Sequence, residues 1–406
     1  MRRAALAVVT AAVTMVATAC GGGDGGSTRS APSAAEPGPG EPINVGLITP
    51  LTGQLSTLGV GDRQGAQVVT DRINAAGGIK GHKINLIIKD DRTEANQSVV
   101  AFNQMLSENV VGVLGSSYAN AAIAVGPLAE RAGIPYMSLA PSRQLVQPVK
   151  KHLFSLPPTS TLWAKRNLEW MQSEGIKKVA VVYASDDTFH NDGNNDVNKY
   201  AKDYGLNVVA SEPISLAQTD FTTVLAKVRS SGAEALFLWV AGPAAVAMTK
   251  QFAAAKLGDT KLVMTGAQAS TLYTQPAGAA GNGAIVNGYN AVIGDYLPPG
   301  ALKNSYDRLA AEIKAKYNTT PAQFTCDAAS GAELLYEAMK RAPKLTPSSI
   351  ADTLNNLSLL TPSGRYTYTP TNHEGAVIEN IAVFEVRDGK FVPTAWQEKQ
   401  WGKLPT

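Results

Sequence analysis

The side chains here that could do chemistry are two adjacent acid pairs, Asp90-Asp91 and Asp186-Asp187, and four histidines at 82, 152, 190 and 373. Two carboxylates that divide acid and base work must converge on one centre, whereas chain neighbours on a strand point to opposite faces. Neither pair therefore reads as a reaction centre. The histidines are scattered, and His82 sits in a turn where a solvated side chain is the default. His-Glu-x-x-His, Cys-x-x-Cys, Gly-x-Ser-x-Gly and the phosphate-binding Gly-x-x-x-x-Gly-Lys are all absent from the sequence. The expectation is a protein with no catalytic residue, no metal and no cofactor.

One glycine-rich stretch needs its own test. Gly59-Val60-Gly61-Asp62-Arg63-Gln64-Gly65 opens a helix after a strand and a loop. A dinucleotide site uses a tight Gly-x-Gly-x-x-Gly turn; this spacing is Gly-x-Gly-x-x-x-Gly, and the loop ahead of it is too long. Charge excludes another class of partner: 36 Lys and Arg against 33 Asp and Glu give +3, too little for a nucleic-acid footprint. With 44% hydrophobic and 17% charged residues in 406, the chain is long and apolar enough for a folded body of two or three units.

The elements that would position any site begin after a processing segment. Arg2 and Arg3 precede an uncharged apolar run from Ala4 to Ala19, too short to span a bilayer comfortably, so residues 1–19 read as a signal peptide. The run closes on Ala17-Thr18-Ala19-Cys20, which resembles a bacterial lipobox with Ala17 where the pattern has Leu; the resemblance makes Cys20 the lipidated first residue of the mature chain. Plain cleavage after Ala19 is the alternative, and both export the protein. Residues 20–41 are nearly all Gly, Ser, Ala and Pro with a few charges, a lipidated flexible tether. The expected location is the outer face of the bacterial cytoplasmic membrane. Cys326 then has no disulfide partner and reads as a buried small hydrophobe.

Beyond the tether, short β-branched runs alternate with helical spacing. Strands are expected at Ile43–Thr49, Lys83–Lys89, Val110–Leu114 and Ile134–Met137, with helices at Gln64–Ala76, Ala95–Asn109 and Ala121–Ala132. The alternation restarts after Pro158: strands Val179–Tyr183, Leu206–Ala210, Ala235–Trp239 and Lys261–Thr265, helices Asn194–Tyr204, Phe221–Ser230 and Ala244–Ala255. This is an α/β protein with two parallel sheets. Pro299–Leu357 is mainly helical, Arg365–Thr369 and Val377–Val392 read as strands with a hairpin turn at Asp388-Gly389, and this last part is expected to complete the two sheets.

In order, Asp71-Arg72-Ile73-Asn74-Ala75-Ala76-Gly77-Gly78-Ile79-Lys80-Gly81, Asp90-Asp91, Val113-Leu114-Gly115-Ser116-Ser117 and Leu128-Ala129-Glu130-Arg131-Ala132-Gly133-Ile134-Pro135 resemble the branched-chain amino-acid type of ABC-transporter substrate-binding protein, with the type I periplasmic-binding-protein fold. The resemblance covers most of Pro42 to Val392 and is weakest over Leu262–Tyr296. It implies two doubly wound parallel-sheet lobes joined by three crossover strands: lobe 1 at 42–155 and 290–364, lobe 2 at 156–289 and 365–406. It implies a small-molecule solute clamped between the lobes and handed to an ABC permease in the cytoplasmic membrane by a monomer; a sensor using the same clamp is the alternative.

Ligands of open parallel sheets sit beyond the carboxyl ends of strands, where helix N-termini present unpaired N–H groups. Those ends carry Gln54–Leu58, Ser116–Asn120 and Ser138–Arg143, which nominates Gln54, Leu58 and Tyr118. The family's carboxylate-binding positions match Ala119, Asn120, Ala140, Pro141 and Ser142, although Pro141 offers no N–H and Ala119 no hydroxyl. Ser142 is the leading candidate and is also placed to cap the segment after it. Phe189 falls where the family has a tyrosine, and Gly242 lies in Ala241-Gly242-Pro243-Ala244, which lacks the family's aromatics; Trp239 just before it reads as strand core. Gln268, in Gly266-Ala267-Gln268-Ala269, stands where amino-acid binders place a carboxylate for the ligand ammonium. Asp186 or Asp187 is the candidate replacement, though acids in such loops more often cap or are solvated. The expected ligand is a small carboxylate or amide with an apolar or aromatic body, with a branched-chain amino acid next.

Overall fold

The computed structural model describes residues 36–404. The signal peptide and Cys20 lie outside the described residues, as does the tether up to residue 35. Its last six residues are seated on the folded body: the Glu36 carboxylate accepts from the Leu345 N–H at 3.0 Å, and the Glu41 carbonyl meets His82 Nδ1 at 2.8 Å. Residues 36–41, expected to belong to the tether, are thus part of the described body. Among the described residues no helix is long and apolar enough to cross a membrane.

A five-stranded sheet is built from β1 (Ile43–Thr49), β2 (Ile84–Asp90), β3 (Val113–Gly115), β4 (Tyr136–Ser138) and β5 (Leu153–Ser155), in the order β2-β1-β3-β4-β5, all parallel. Central β1 is buried at every residue but Asn44, as a strand covered on both faces must be, while edge strand β2 is only half-buried. The connecting helices are α1 (Ser56–Ala75), α2 (Ala95–Ser107), α3 (Ala119–Ala132) and a single turn α4 (Arg143–Val146).

After α5 (Ser160–Ser173) a seven-stranded sheet forms from β6 (Lys178–Ala184), β7 (Asn207–Ile214), β8 (Ala235–Trp239), β9 (Lys261–Met264) and β10 (Ile285–Tyr289), connected by α6 (Thr188–Tyr200), α7 (Thr222–Ser231), α8 (Gly242–Ala255) and α9 (Thr271–Ala277). Helices α10 (Ala301–Tyr317), α11 (Gln323–Arg341) and α12 (Pro347–Leu354) follow, then a hairpin of β11 (Ser358–Thr361) and β12 (Gly364–Thr367), and finally β13 (Ile381–Arg387) and β14 (Lys390–Pro393). The large sheet runs β14-β13-β10-β9-β8-β6-β7.

Two expectations are corrected. The large sheet is not wholly parallel, because β13 pairs antiparallel with β10 and β14 antiparallel with β13. The turn between β13 and β14 is Asp388-Gly389 with φ +48° and +73°, the pair of positive values a two-residue hairpin takes. And no described strand of the last third joins the small sheet; α10 and α11 pack on α1 instead, and β11 and β12 pair only with each other.

The glycine-rich stretch explains the tightest of these contacts. α1 begins at Ser56, eight residues before the helical spacing expected from Gln64, and the stretch Gly59–Gly65, read as opening the helix, lies wholly inside it. A Cβ at Gly65 would stand 2.1 Å from the Thr325 carbonyl oxygen, and one at Gly61 would stand 3.0 Å from the Thr325 nitrogen. The i, i+4 glycines let α1 and α11 approach backbone to backbone. No phosphate is needed to account for them. Cys326, on the same stretch of α11, is fully buried, and burial pushes its thiol pKa up, away from the reactive thiolate.

Candidate functional site: a cavity between the two sheets

Loops at the carboxyl ends of four strands of the small sheet and three of the large one meet around one narrow cavity of about 50 Å³. Leu55, Leu58, Leu139 and Pro141 follow β1 and β4 from the small sheet; Phe189, Ala241 and Thr265 follow β6, β8 and β9 from the large one. Trp163 from α5 and Phe324 from α11 complete an aromatic wall. The polar lining is Ser117, Asp187, His190, Thr265, Gln323 and Asp327, and neither lysine nor arginine is among the described lining residues.

Local sequence places the polar groups. Asp187 is the N-cap of α6: its Oδ1 accepts from the His190 N–H at 3.2 Å, which accounts for a helix starting at Thr188, before the expected Asn194. The same oxygen lies 2.7 Å from His190 Nδ1 in a bent contact, so neither ring nitrogen has an aligned partner. Asp187 and His190 are 2% and 3% exposed. The Thr265 hydroxyl, beyond the end of β9, is also buried without a partner. Asp327 accepts from the Tyr289 hydroxyl at 2.6 Å. Burial holds the Asp327 carboxyl well above the usual range, with the nearby Asp62 adding to the effect.

Asp62 and Asp91 sit behind the cavity wall. Asp62 accepts from the Thr49 hydroxyl at 2.7 Å and the Ser117 hydroxyl at 2.5 Å, yet burial raises its pKa to about 7. Asp91 is raised to about 6, again chiefly by burial. Asp90 faces the other way, accepting from the backbone of Leu51, Thr52 and Arg92 and from the Thr52 hydroxyl, so it organises the loop after β1. The pair diverges as adjacent strand residues should.

Of the residues nominated from sequence, Leu58, Pro141 and Phe189 line the cavity. Phe189 packs at a tilted 57° with its ring centroid 5.1 Å from that of Trp239, a fully buried strand residue whose indole lies over Gly193. Ala119 is buried at the start of α3, and Ala140 has its N–H and carbonyl engaged by the Ser138 hydroxyl. Ser142 occupies the N-cap position of α4, but its hydroxyl makes no capping bond; it is buried without a partner and is not among the cavity-lining residues. Gly242 and Gln268 line a separate groove of about 410 Å³ that shares Leu58, Ala267 and Phe324 with the cavity. There Gln268 Nε2 donates to the Val240 carbonyl, and Oε1 has no partner.

The remaining nominees join the two sides. Asn120 Oδ1 accepts from the Thr188 N–H and hydroxyl, and its Nδ2 donates to the Asp186 carbonyl and to the hydroxyl of Tyr118. The Gln54 carbonyl lies against Gly242, whose φ is +67° and where a Cβ would stand 2.5 Å from that oxygen. Arg143 Nη1 donates to Asp196 Oδ1 at 3.0 Å, another bond across the cleft, onto α6. The Asp186 carboxylate is occupied by Ser215 and Leu216, so of the two candidate acids only Asp187 reaches the cavity.

Sequence reasoning missed His190, Thr265, Asp327 and Trp163. For His190 a signal existed: Asp187-Thr188-Phe189-His190 is an N-cap three residues ahead of a histidine, which brings the two side chains together on the first turn. Asp327 gives no such signal, since its place depends on the glycine contact between α1 and α11. Among the described residues no group of three or more His, Cys, Asp or Glu could hold a metal ion.

A family model described as a periplasmic binding protein matches residues 42–390. The Leu/Ile/Val-binding protein homolog 7 of Brucella abortus (strain 2308) is 23% identical over 329 residues, which is 78% of this chain and 82% of the relative. The branched-chain amino acid transporter substrate binding protein LivJ of Streptococcus pneumoniae, solved in complex with isoleucine, matches with a TM-score of 0.74 at 22% identity, covering 86% of this chain and 97% of that one. An ABC-transporter solute binding protein of R. palustris, solved in complex with benzoate, matches with a TM-score of 0.74 at 18% identity, covering 87% and 95%. At these identities the structural matches speak for the fold.

Proposed function

We propose that this chain, which belongs to the periplasmic binding protein family, is the exported solute-binding lipoprotein of an ABC importer, anchored through Cys20. It acts as a clamp: lobe 1 at 42–155 and 290–364 and lobe 2 at 156–289 and 365–406 close on a small carboxylate or amide solute with an apolar or aromatic body and deliver it to a permease. The observation that carries this reading is the cavity itself, walled by Trp163, Phe189 and Phe324 and bearing buried polar atoms that have no protein partner. A buried polar atom left unpaired is costly, by about 1–3 kcal/mol each, and a ligand that pairs it recovers that free energy. At about 50 Å³ the cavity is smaller than an amino acid or benzoate, so entry requires the walls to part and closure to follow.

The family relatives named for leucine, isoleucine and valine, and the neighbours holding isoleucine and benzoate, support a solute of this size and chemistry. Bonds made across the cleft by Asn120 and Arg143 support a clamp whose closed state is held partly by protein–protein contacts. The test is a melting-temperature screen of the mature protein against leucine, isoleucine, phenylalanine, benzoate, 4-hydroxybenzoate and benzamide. At least one is expected to raise the melting temperature in a saturable manner. No shift from any of them would sink the solute reading.

A further inference from the structure

We infer that His190, oriented by Asp187, reads a hydrogen-bond donor on the solute, so that the solute carries a hydroxyl, amide or ammonium group in addition to its carboxylate or amide end. This deepens the solute-binding reading and rests on it. His190 is 3% exposed, lines the cavity, and leaves Nε2 without a partner. The Asp187 carboxylate can only accept, and it lies 2.7 Å from Nδ1, which favours the ring proton at that nitrogen. With the ring proton on Nδ1, Nε2 is left as an acceptor.

A second orphan adds a polar group that a solute can satisfy. The Thr265 hydroxyl, from a different strand end, lines the same cavity and is buried without a partner. The charge inventory excludes the opposite assignment. Asp187 supplies negative charge beside the ring, Asp327 adds a second carboxyl, and the described lining offers no lysine or arginine to neutralise an anionic group there. An anionic group set beside the Asp187 carboxylate would be desolvated without a counter-charge, so the solute's carboxylate end is the end that lies away from His190, whereas a donor there gains an acceptor. Asp187 is a positioning residue: it caps α6 and sets the ring, while His190 makes the contact.

Matched solutes test this by calorimetry on the mature protein: 4-hydroxybenzoate against 4-methoxybenzoate, which keeps the oxygen and loses the donor, and leucine against 4-methylpentanoate, which lacks the ammonium. In at least one pair the donor-bearing member should bind roughly tenfold tighter or more. His190→Phe should shrink that ratio to within about threefold, and His190→Gln, which keeps an acceptor oxygen, should restore part of it. Equal affinities within both pairs for the native protein, or an unchanged ratio in His190→Phe, would overturn the assignment while leaving the solute reading standing. Should His190→Phe fail to fold, the ratio in the native protein and in His190→Gln decides. Binding of none of the four would overturn this inference, while the solute reading stands or falls on the wider melting-temperature screen.

Discussion

Asn120 and Thr188 meet across the cleft: Asn120 Oδ1 accepts the Thr188 hydroxyl at 2.7 Å and its backbone N–H at 3.1 Å. Asn120 lies in the first turn of α3 on the small-sheet side, and Thr188 opens α6 on the large-sheet side. A side chain nominated to hold ligand thus ties the first turns of two facing helices. Such bonds exist only when the two sides are together, so they bias the closed state without touching the solute.

Asn120→Ala removes both bonds, together with the one its amide donates to the Asp186 carbonyl, and should shift the protein toward an open form. At about 1 kcal/mol net per bond, solute affinity is expected to fall roughly five- to hundredfold. The melting temperature of the solute-free protein should change little. Small-angle scattering checks the cause: the variant should show a larger radius of gyration without solute and return to the native value when saturated. An unchanged radius with weakened binding would make Asn120 a direct ligand contact instead.

Arg143 has the same bridging place but a different consequence. Its partner Asp196 is 2% exposed and also accepts from the hydroxyls of Ser160 and Thr161. Arg143→Ala leaves that buried carboxylate with hydroxyl donors only, which should cost about 2 kcal/mol of stability. Denaturant unfolding should show it as a lower midpoint at constant slope. Arg143→Lys keeps the charge but not the forked geometry, and is expected to recover only part of the loss.

The glycine contact predicts a steep, position-specific effect. Gly65→Ala places a methyl group 2.1 Å from the Thr325 carbonyl oxygen, so α1 and α11 must separate; a loss of about 3 kcal/mol is expected. Gly300→Ala is the control, because a Cβ there meets nothing within 4 Å and its backbone is extended, with φ 162°. Melting temperatures of the two variants should differ by several degrees. Equal values would mean that the helices are not held at backbone contact.

How far the sequence carried depends on the range of the forces involved. Strand β1 was legible to the residue and β8 likewise, because an apolar run bounded by turn residues is a local signal. The strand-end rule led to Leu58, and the family pattern to Pro141 and Phe189, on the cavity wall. It did not reveal that the amide of Asn120 is engaged by Thr188, nor that Ser142 lies off the cavity, because a strand-end loop fixes a neighbourhood and not a direction. The start of α1 was misread for a related reason: glycines that read as a helix opening in sequence are helix surface once α11 is beside them. Asp327 enters the cavity through that long-range contact, and no window around residue 327 records it.

The buried acids behind the cavity predict a dependence of stability on pH. In the unfolded chain Asp62 titrates near 4, and in the folded protein near 7. Below pH 4 both states are protonated and burial of the carboxyl carries no ionic penalty. As pH climbs from 4 to 7 the unfolded chain ionises first, so unfolding gains free energy progressively; above about 7 the penalty is constant, on the order of 4 kcal/mol. Asp91, raised to about 6, acts in the same direction over a narrower window. Asp62→Asn removes the titrating group while keeping an oxygen for the Thr49 and Ser117 hydroxyls. The variant should therefore melt higher than the native protein at pH 8, and the gap should narrow or reverse near pH 4.5. Melting curves across pH 4–8 check this; a variant uniformly less stable at every pH would show that the Asp62 carboxylate is a favourable ionic partner and not a buried, neutralised acid.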